Sequence, residues 1–245
     1  MKAVLLGATR GMGRAVARVL AARGERLFLL GRDASALARS ARDLEVRGAR
    51  EPVGSAACDL LDPAGFDAAL DAADRALDGF NTAILSAGLF APQDRLEADP
   101  RFRRDLFAAD FTHSIEWCEA VRLRLLPRGG GVLCVFSSVA GERGRTPAVF
   151  YGAAKAGLTR YLEGLDHRYH SQGLRVITVL PGFVHTAMTE GLAAPPFAST
   201  PEVVARRVVR AIDRGTPVVY APAIWQAVML AVRALPRAVM RRATF

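Results

Sequence analysis

A tyrosine and a lysine lie four residues apart, at Tyr151 and Lys155, in the segment YGAAK. Residues at this spacing share one face of a helix, so the segment predicts a phenol beside an ammonium group. The ammonium favours the phenolate and is expected to lower the phenol pKa from about 10 toward the working pH. Such a phenol can protonate a carbonyl oxygen or take a proton from an alcohol. The alternative is a surface pair with no chemical role.

Lys155 is unusual because it and Lys2 are the only lysines among 33 basic residues. Where arginine is the ordinary cation of a chain, a lysine in its middle indicates a place that needs a compact ammonium rather than a planar guanidinium. The composition therefore favours a specific role for Lys155.

A glycine-rich turn joins the first apolar run to the first helical stretch, and it reads Gly7-Ala8-Thr9-Arg10-Gly11-Met12-Gly13. Glycines there let the backbone approach a pyrophosphate, and the helix N-terminus supplies free N–H groups with a positive dipole end. The turn predicts a dinucleotide site. The alternative is a tight turn that binds nothing.

The second apolar run ends at Gly31, followed by Arg32 and Asp33. NAD-binding proteins usually place an acidic residue at this strand end to hold the ribose hydroxyls. Arg10 and Arg32 would instead suit a 2′-phosphate, because guanidinium binds phosphate in a fork geometry. NADP(H) is therefore favoured, and Asp33 keeps NAD(H) as the alternative.

Short apolar runs alternate with amphipathic stretches along the whole chain, and one helical stretch is expected over about 101–126. Continuous apolar strands are covered on both faces, so the pattern predicts an α/β fold. We expect a Rossmann-type doubly wound three-layer sandwich with a mostly seven-stranded parallel sheet over residues 1–221. A basic amphipathic helix is expected over 222–245. The predicted strands are Lys2–Leu6, Arg26–Leu30, one within Pro52–Leu60, Thr82–Ser86, Val132–Ser137, Leu174–Leu180 and Pro217–Tyr220.

The 245 residues carry a net charge of +9, which raises the question of a nucleic-acid partner. Because the arginines are spread along the chain without a basic cluster in the core, no nucleic-acid binding is expected. Three cysteines without a CxxC spacing indicate reduced core thiols and a cytoplasmic protein, and no metal site is expected. No run reaches the roughly 20 apolar residues of a spanning helix.

The pattern GxxxGxG near the N-terminus, with Ser138, Tyr151 and Lys155 following in order, resembles the short-chain dehydrogenase/reductase family. The resemblance covers about Lys2–Tyr220. It implies that Tyr151 is the acid/base, that Ser138 holds the substrate oxygen and that Lys155 also contacts the nicotinamide ribose. The family often has a proton-relaying asparagine where this chain has Asp110, so Asp110 is a lesser catalytic candidate.

The resemblance also implies contacts with the cofactor at the other strand ends. Asp59 is expected at the adenine and the Ala87-Gly88 pair near the ribose, whereas the usual asparagines before that pair are replaced by Leu85 and Ser86. The loop after the sixth strand is expected at the nicotinamide carboxamide. The full expected set is Gly7, Thr9, Arg10, Gly11, Met12, Gly13, Arg32, Asp59, Leu60, Ser86, Ala87, Gly88, Tyr151, Lys155, Pro181, Gly182, Val184 and Thr186.

The C-terminal segment has arginines at four-residue steps, at Arg233, Arg237 and Arg241, and Pro236 is expected to kink its helix. A basic amphipathic helix with a tryptophan is typical of peripheral membrane contact, here through 223–245. The alternative is a helix packed on its own subunit or on a second copy.

Four segments, PGFVHTAMTEG, TPEVVAR, VVYAP and RALPRAVMRR, resemble reductases of a decaprenylphosphoryl 2-keto-pentose and other lipid-ketone reductases. This resemblance implies a lipophilic or lipid-linked ketone as substrate, with Phe183, Met188 and Phe197 near the cleft.

The sequence thus predicts an NADP(H)-dependent oxidoreductase that transfers hydride between nicotinamide and a ketone or secondary alcohol. The family resemblance implies a homodimer or homotetramer. The principal alternative is a non-catalytic NADP(H)-binding regulatory protein.

Overall fold

A computed structural model describes residues 1–49 and 52–243. Seven parallel strands form one sheet in the order β3-β2-β1-β4-β5-β6-β7. This confirms the predicted doubly wound α/β sheet, and the order in which strands are added reverses between β1 and β4. The strands are β1 (Lys2–Leu6), β2 (Arg26–Gly31), β3 (Gly54–Ala57), β4 (Thr82–Leu85), β5 (Gly131–Phe136), β6 (Leu174–Pro181) and β7 (Val218–Ala221).

Helices cover both faces of the sheet, because alternate residues of each strand point to opposite sides. In β1, Ala3 and Leu5 belong to the core on one face, and Val4 and Leu6 belong to the core on the other. The first face is covered by α1 (Gly11–Ala22), α2 (Ala34–Val46) and α8 (Pro201–Arg214). The second is covered by α3 (Phe66–Leu77), α6 (His113–Leu125) and α7 (Val149–Tyr169). Cys58, Cys118 and Cys134 are buried free thiols in these cores.

The structure has the helical stretch expected over 101–126, with a π-helical turn inside it. After α4 (Gln93–Ala98), α5 (Pro100–Phe107) leads into a π-helical turn, Ala108–Thr112, before α6 begins. The hydroxyl of Ser114 donates to the Ala109 carbonyl at 2.6 Å and that of Thr112 donates to Ala108 at 3.3 Å. The Ala108 carbonyl also accepts from the His113 N–H, five residues on, as a π-helical turn requires, and such turns are frequent at functional sites.

The C-terminal segment forms α9 (Ile224–Ala234) and the short α10 (Arg237–Met240). The chain is extended at Leu235 and Pro236, so the expected kink is a complete break. Trp225 and Met229 are buried against Val139 and Leu180. This face of α9 therefore packs on its own subunit. Residues 244–245 of the predicted extension lie outside the described residues, and within the described ones no helix has the length and apolar character needed to cross a bilayer.

Candidate active site

The glycine turn has the backbone geometry that a phosphate site needs. Gly7 and Gly11 have φ angles of 98° and 51°, which side-chain-bearing residues rarely adopt. A Cβ added at Gly13 would overlap Ser86 Oγ and the Gly7 carbonyl, so only a glycine lets the first turn of α1 pack this closely against the end of β1. Arg10, the residue before α1, gives no side-chain cap, and the first N–H groups of the helix stay available to an anion. The turn therefore fits a pyrophosphate.

Ser86 braces the glycine turn against the end of β4. Its hydroxyl lies 3.3 Å from the carbonyl of Leu6 and 3.2 Å from that of Gly7 and donates to both, while the Ala87 N–H donates to Leu6 at 3.2 Å. A Cβ on Gly7 would come within 2.5 Å of the Ala87 nitrogen. Ser86, Ala87 and the glycine turn are therefore locked together at the carboxyl ends of β1 and β4.

The Asp33 carboxylate, which follows the end of β2, already has a structural role. Asp33 is the N-cap of α2 and accepts from the Ala36 N–H at 3.0 Å. This bond to Ala36, helped by the positive charges of Arg39 and Arg10, lowers the Asp33 pKa below its ordinary value. Arg10 and Arg32 are both exposed at this end.

The remaining predicted cofactor residues lie at neighbouring strand ends. Asp59 follows β3 and accepts from the Leu61 N–H at 3.0 Å, and the Leu60 carbonyl contacts the His113 ring at 2.9 Å. After β6, Thr186 reaches the glycine turn, since a Cβ on Gly11 would lie 3.4 Å from its methyl group. One cavity of about 920 Å³ has Met12, Pro181, Gly182, Val184 and Thr186 in its wall.

The same cavity contains both Tyr151, from the first turn of α7, and Ser138, which follows β5. Ser138 Oγ accepts from the Ala140 N–H at 3.1 Å, which fixes its orientation. The ring of Tyr151 packs edge-on against Phe90, with 5.1 Å between centroids. The structure therefore brings the predicted phenol and serine together beside the glycine turn.

Lys155 is buried behind Tyr151, with its ammonium nitrogen 5.8 Å from the tyrosine ring centroid. It donates to the Phe136 carbonyl at 3.3 Å and lies 3.4 Å from Asp110 Oδ1. Asp110 is fully buried; Oδ1 also accepts from the Leu89 N–H at 2.9 Å, whereas Oδ2 has no hydrogen-bond partner among the described residues. Burial raises the pKa of Asp110, and the charge of Lys155 opposes that rise.

The pKa of Tyr151 shifts opposite to the expected direction. Burial raises it well above its ordinary value of 10, the Asp110 carboxylate raises it further, and hydrogen bonding with Ser138 works against the rise. Because the ammonium of Lys155 faces a carboxylate, its field at the phenol is largely cancelled. The expected lowering was argued from the Tyr–Lys pair; the family resemblance also placed the Asp110 carboxylate near Lys155, but neither its complete burial nor the burial of the phenol was expected.

Sequence reasoning missed two contributions to the cavity wall. Four apolar residues of α9 line it, at Trp225, Val228, Met229 and Val232, and their spacing of three or four residues was the available signal. Arg145, from the loop after β5, lines it too. Nothing in the sequence around Arg145 distinguishes it from the other arginines. The predicted Phe183, Met188 and Phe197 do lie at this cavity.

Comparison with known proteins agrees with this geometry. A family model described as short chain dehydrogenase matches residues 1–196. An uncharacterised oxidoreductase of Mycobacterium tuberculosis is 35% identical over 239 residues, covering 98% of this chain and 95% of the relative.

Two solved structures are similar in fold. A short-chain dehydrogenase from Sphingobium yanoikuyae in complex with NADPH has a TM-score of 0.82 and 25% identity, covering 95% of this chain and 94% of the other. One from Burkholderia cenocepacia in complex with NADP has a TM-score of 0.83 and 24% identity, covering 98% and 95%. Because the family model matches most of the chain and the relative spans nearly all of it, the protein belongs to the short-chain dehydrogenase/reductase family of NAD(P)-dependent oxidoreductases.

Proposed function

We propose that this protein is an NADP(H)-dependent ketoreductase in which Tyr151 is the proton donor. One observation carries the proposal: Tyr151 and Ser138 line a single large cavity that also has the glycine-turn residue Met12 and the Pro181-Gly182 turn in its wall. A ketone in that cavity would be next to both the acid and the predicted cofactor site.

In the proposed mechanism, the glycine turn would hold NADPH, which when bound would supply a hydride for the carbonyl carbon. Ser138 holds the carbonyl oxygen by a hydrogen bond, and Tyr151 gives that oxygen its proton. Burial raises the pKa of Tyr151, and a phenol that is protonated at neutral pH can act as the proton donor in ketone reduction. Lys155 would stabilise the phenolate that remains, and Asp110 would position the ammonium of Lys155 through the contact at 3.4 Å.

The preference for NADP(H) is argued from charge at the end of β2. Asp33 is occupied as the helix cap of α2, while Arg10 and Arg32 are exposed and available to a 2′-phosphate. The structural relative from Sphingobium was solved with NADPH, which agrees with this proposal. NAD(H) is the alternative, and it requires Asp33, whose Oδ1 caps α2, to accept from the ribose hydroxyls as well.

The cavity favours a lipophilic ketone. Its volume of about 920 Å³ accommodates a drug-sized molecule, and most of its wall is apolar, including Phe90, Phe183 and Met229. A lipid-linked ketone would fit the same wall. In a series of methyl ketones from four to twelve carbons, kcat/KM should increase with chain length until the alkyl chain fills the cavity. Each methylene buried against the apolar wall contributes about 0.8 kcal/mol to the binding free energy. Equal kcat/KM along the series would contradict a lipophilic substrate.

The variant Tyr151→Phe tests the function itself. It removes the hydroxyl and keeps the ring that packs against Phe90, so NADPH binding should persist while ketone reduction falls by about a hundredfold or more. Tyr161→Phe, which removes a hydroxyl bonded to Glu119, is a control outside this cavity. Unchanged turnover in Tyr151→Phe would support the non-catalytic NADP(H)-binding alternative.

Three predictions from the sequence remain predictions: the division into residues 1–221 and 222–245, a homodimer or homotetramer, and a cytoplasmic protein with peripheral membrane contact through 223–245. The burial of Trp225 and Met229 leaves Ile224 and Leu230 as exposed apolar residues of α9. Flotation with anionic vesicles, comparing the full chain with Leu230→Ser, tests membrane contact, because a contact made through this face requires that apolar side chain.

A further inference from the structure

A half-buried arginine without an anionic partner separates two neighbouring cavities. Arg145 lines the 920 Å³ cavity that contains Tyr151, and it also lines a second cavity of about 610 Å³. Within the described part of the chain Arg145 forms no ion pair, and its Nε is buried without a hydrogen-bond partner. Burial lowers its pKa, but a guanidinium stays charged in proteins, so the cost of removing it from water is not compensated.

Arg124 shows how the charge of a largely buried guanidinium is compensated elsewhere in this chain. The side chain of Arg124 is 16% exposed, and it forms ion pairs with Asp67 at 3.0 Å and Asp71 at 2.6 Å. Arg145 has no such pair. A charge kept in a cavity wall without an internal partner is expected where a ligand supplies the counter-charge.

The second cavity also favours an anionic ligand, because the charged residues that line it are all basic. Arg143, Arg237 and Arg241 line it together with Arg145, and none of its described lining residues is acidic. Arg143 also donates to the Leu235 carbonyl at 2.6 Å, which holds the C-terminal segment against this cavity. In the larger cavity, the single acidic lining residue among those described is Asp94, which is exposed on α4.

We propose that the substrate carries an anionic group, a carboxylate or a phosphate, which Arg145 binds at the boundary between the two cavities. Its apolar body would lie in the larger cavity with the ketone at Tyr151. The inference rests on the proposed ketoreductase function and narrows its substrate class to acidic lipophilic ketones. Guanidinium suits both anions because its N–H groups form a planar fork that matches two oxygens.

Isothermal titration calorimetry with eight-carbon probes tests the proposal without requiring turnover. Octanoate and octyl phosphate should each bind the wild-type protein about tenfold or more tightly than 1-octanol does, since a charge-assisted hydrogen bond is gained. The stronger of the two anionic probes identifies carboxylate or phosphate as the preferred group. No preference for either anion over 1-octanol in the wild-type protein would overturn the proposal, and this comparison needs no variant.

Arg145→Met keeps the length of the side chain and removes its charge, so it should abolish the anion preference and leave 1-octanol binding unchanged. Arg206→Met is the matched control, because Arg206 is exposed on α8 and lines neither cavity. If Arg145→Met still preferred the anionic probes over 1-octanol, the proposed anion site would be overturned. That result would not contradict the proposed ketoreductase function. Full turnover in Tyr151→Phe would instead contradict the proposed ketoreductase function, even if Arg145 still bound anions.

Discussion

Replacing Asp110 by asparagine tests the electrostatic description of the site most directly. The Asp110 carboxylate raises the pKa of Tyr151, so its removal should lower that pKa. Reduction needs a protonated phenol, and the alkaline limb of the kcat profile should therefore move to lower pH in Asp110→Asn. The rate at neutral pH should change little as long as the phenol stays protonated there.

The effect on stability follows from the geometry of the pair. At 3.4 Å and an effective dielectric constant of about 20, the attraction between Lys155 and Asp110 is about 5 kcal/mol. Burying the carboxylate costs several kcal/mol, so the two contributions nearly cancel. An asparagine oxygen can still accept from the Leu89 N–H, and we expect a free energy of unfolding within about 2 kcal/mol of wild type. Asp110→Ala leaves the ammonium without any partner oxygen there and should cost about 3–5 kcal/mol.

The pH dependence of stability gives an independent readout. The folded-state pKa of Asp110 is raised above 3.8, so its contribution to stability is fully present below that pH and is lost as the pH rises through the folded pKa. The stability of Asp110→Asn relative to wild type, measured by urea unfolding, should therefore increase as the pH is raised above 3.8.

Ser114→Ala is the matched control for the activity measurement. It removes a hydrogen bond from the same π-helical turn but no charge, and it should leave the alkaline limb in place. The reasoning is refuted if the alkaline limb of the kcat–pH profile of Asp110→Asn stays at the wild-type pH or moves to higher pH.

Three further predictions concern the cofactor end and the cavity wall. Arg10→Ala and Arg32→Ala should each lower kcat/KM for NADPH by about tenfold with little change for NADH, and equal losses with both cofactors would contradict a 2′-phosphate site. Ser86→Ala removes a hydroxyl that bonds two carbonyls and should cost about 1–2 kcal/mol in urea unfolding while raising KM for NADPH, because the glycine turn loses its brace. Met229→Ala should cost about 2–4 kcal/mol, since the side chain is 1% exposed, whereas stability equal to wild type would mean that α9 does not pack on the sheet as described.

The parallel sheet and the cofactor end were predictable because they depend on local signals. Continuous apolar runs mark strands covered on both faces, and a glycine turn between the first strand and the first helix marks a phosphate site. Tyr151, Ser138 and Lys155 could be placed at one edge of the sheet for the same reason, since the carboxyl ends of parallel strands meet there.

The electrostatics of the site could not be predicted, because they depend on residues distant in sequence. The family resemblance placed Asp110 near Lys155, but its complete burial on a π-helical turn is marked by nothing in its local sequence. Arg145, from the loop after β5, likewise lines a cavity together with residues of α10 that are distant in sequence. Propensity and periodicity describe one element at a time, whereas these features exist between elements.

The C-terminal segment shows why amphipathicity alone left its role open. A helix with one apolar face needs a cover for that face, and its sequence does not say whether lipid or protein provides it. In this protein the Trp225 face of α9 is covered by protein, because the indole of Trp225 packs so closely on Gly182 that any added Cβ would overlap the ring. Arg233 of the same helix also pairs with Glu142 at 3.2 Å. Because α9 rests on the turn predicted to hold nicotinamide and also lines the substrate cavity, changes in α9 should affect substrate choice and cofactor affinity together.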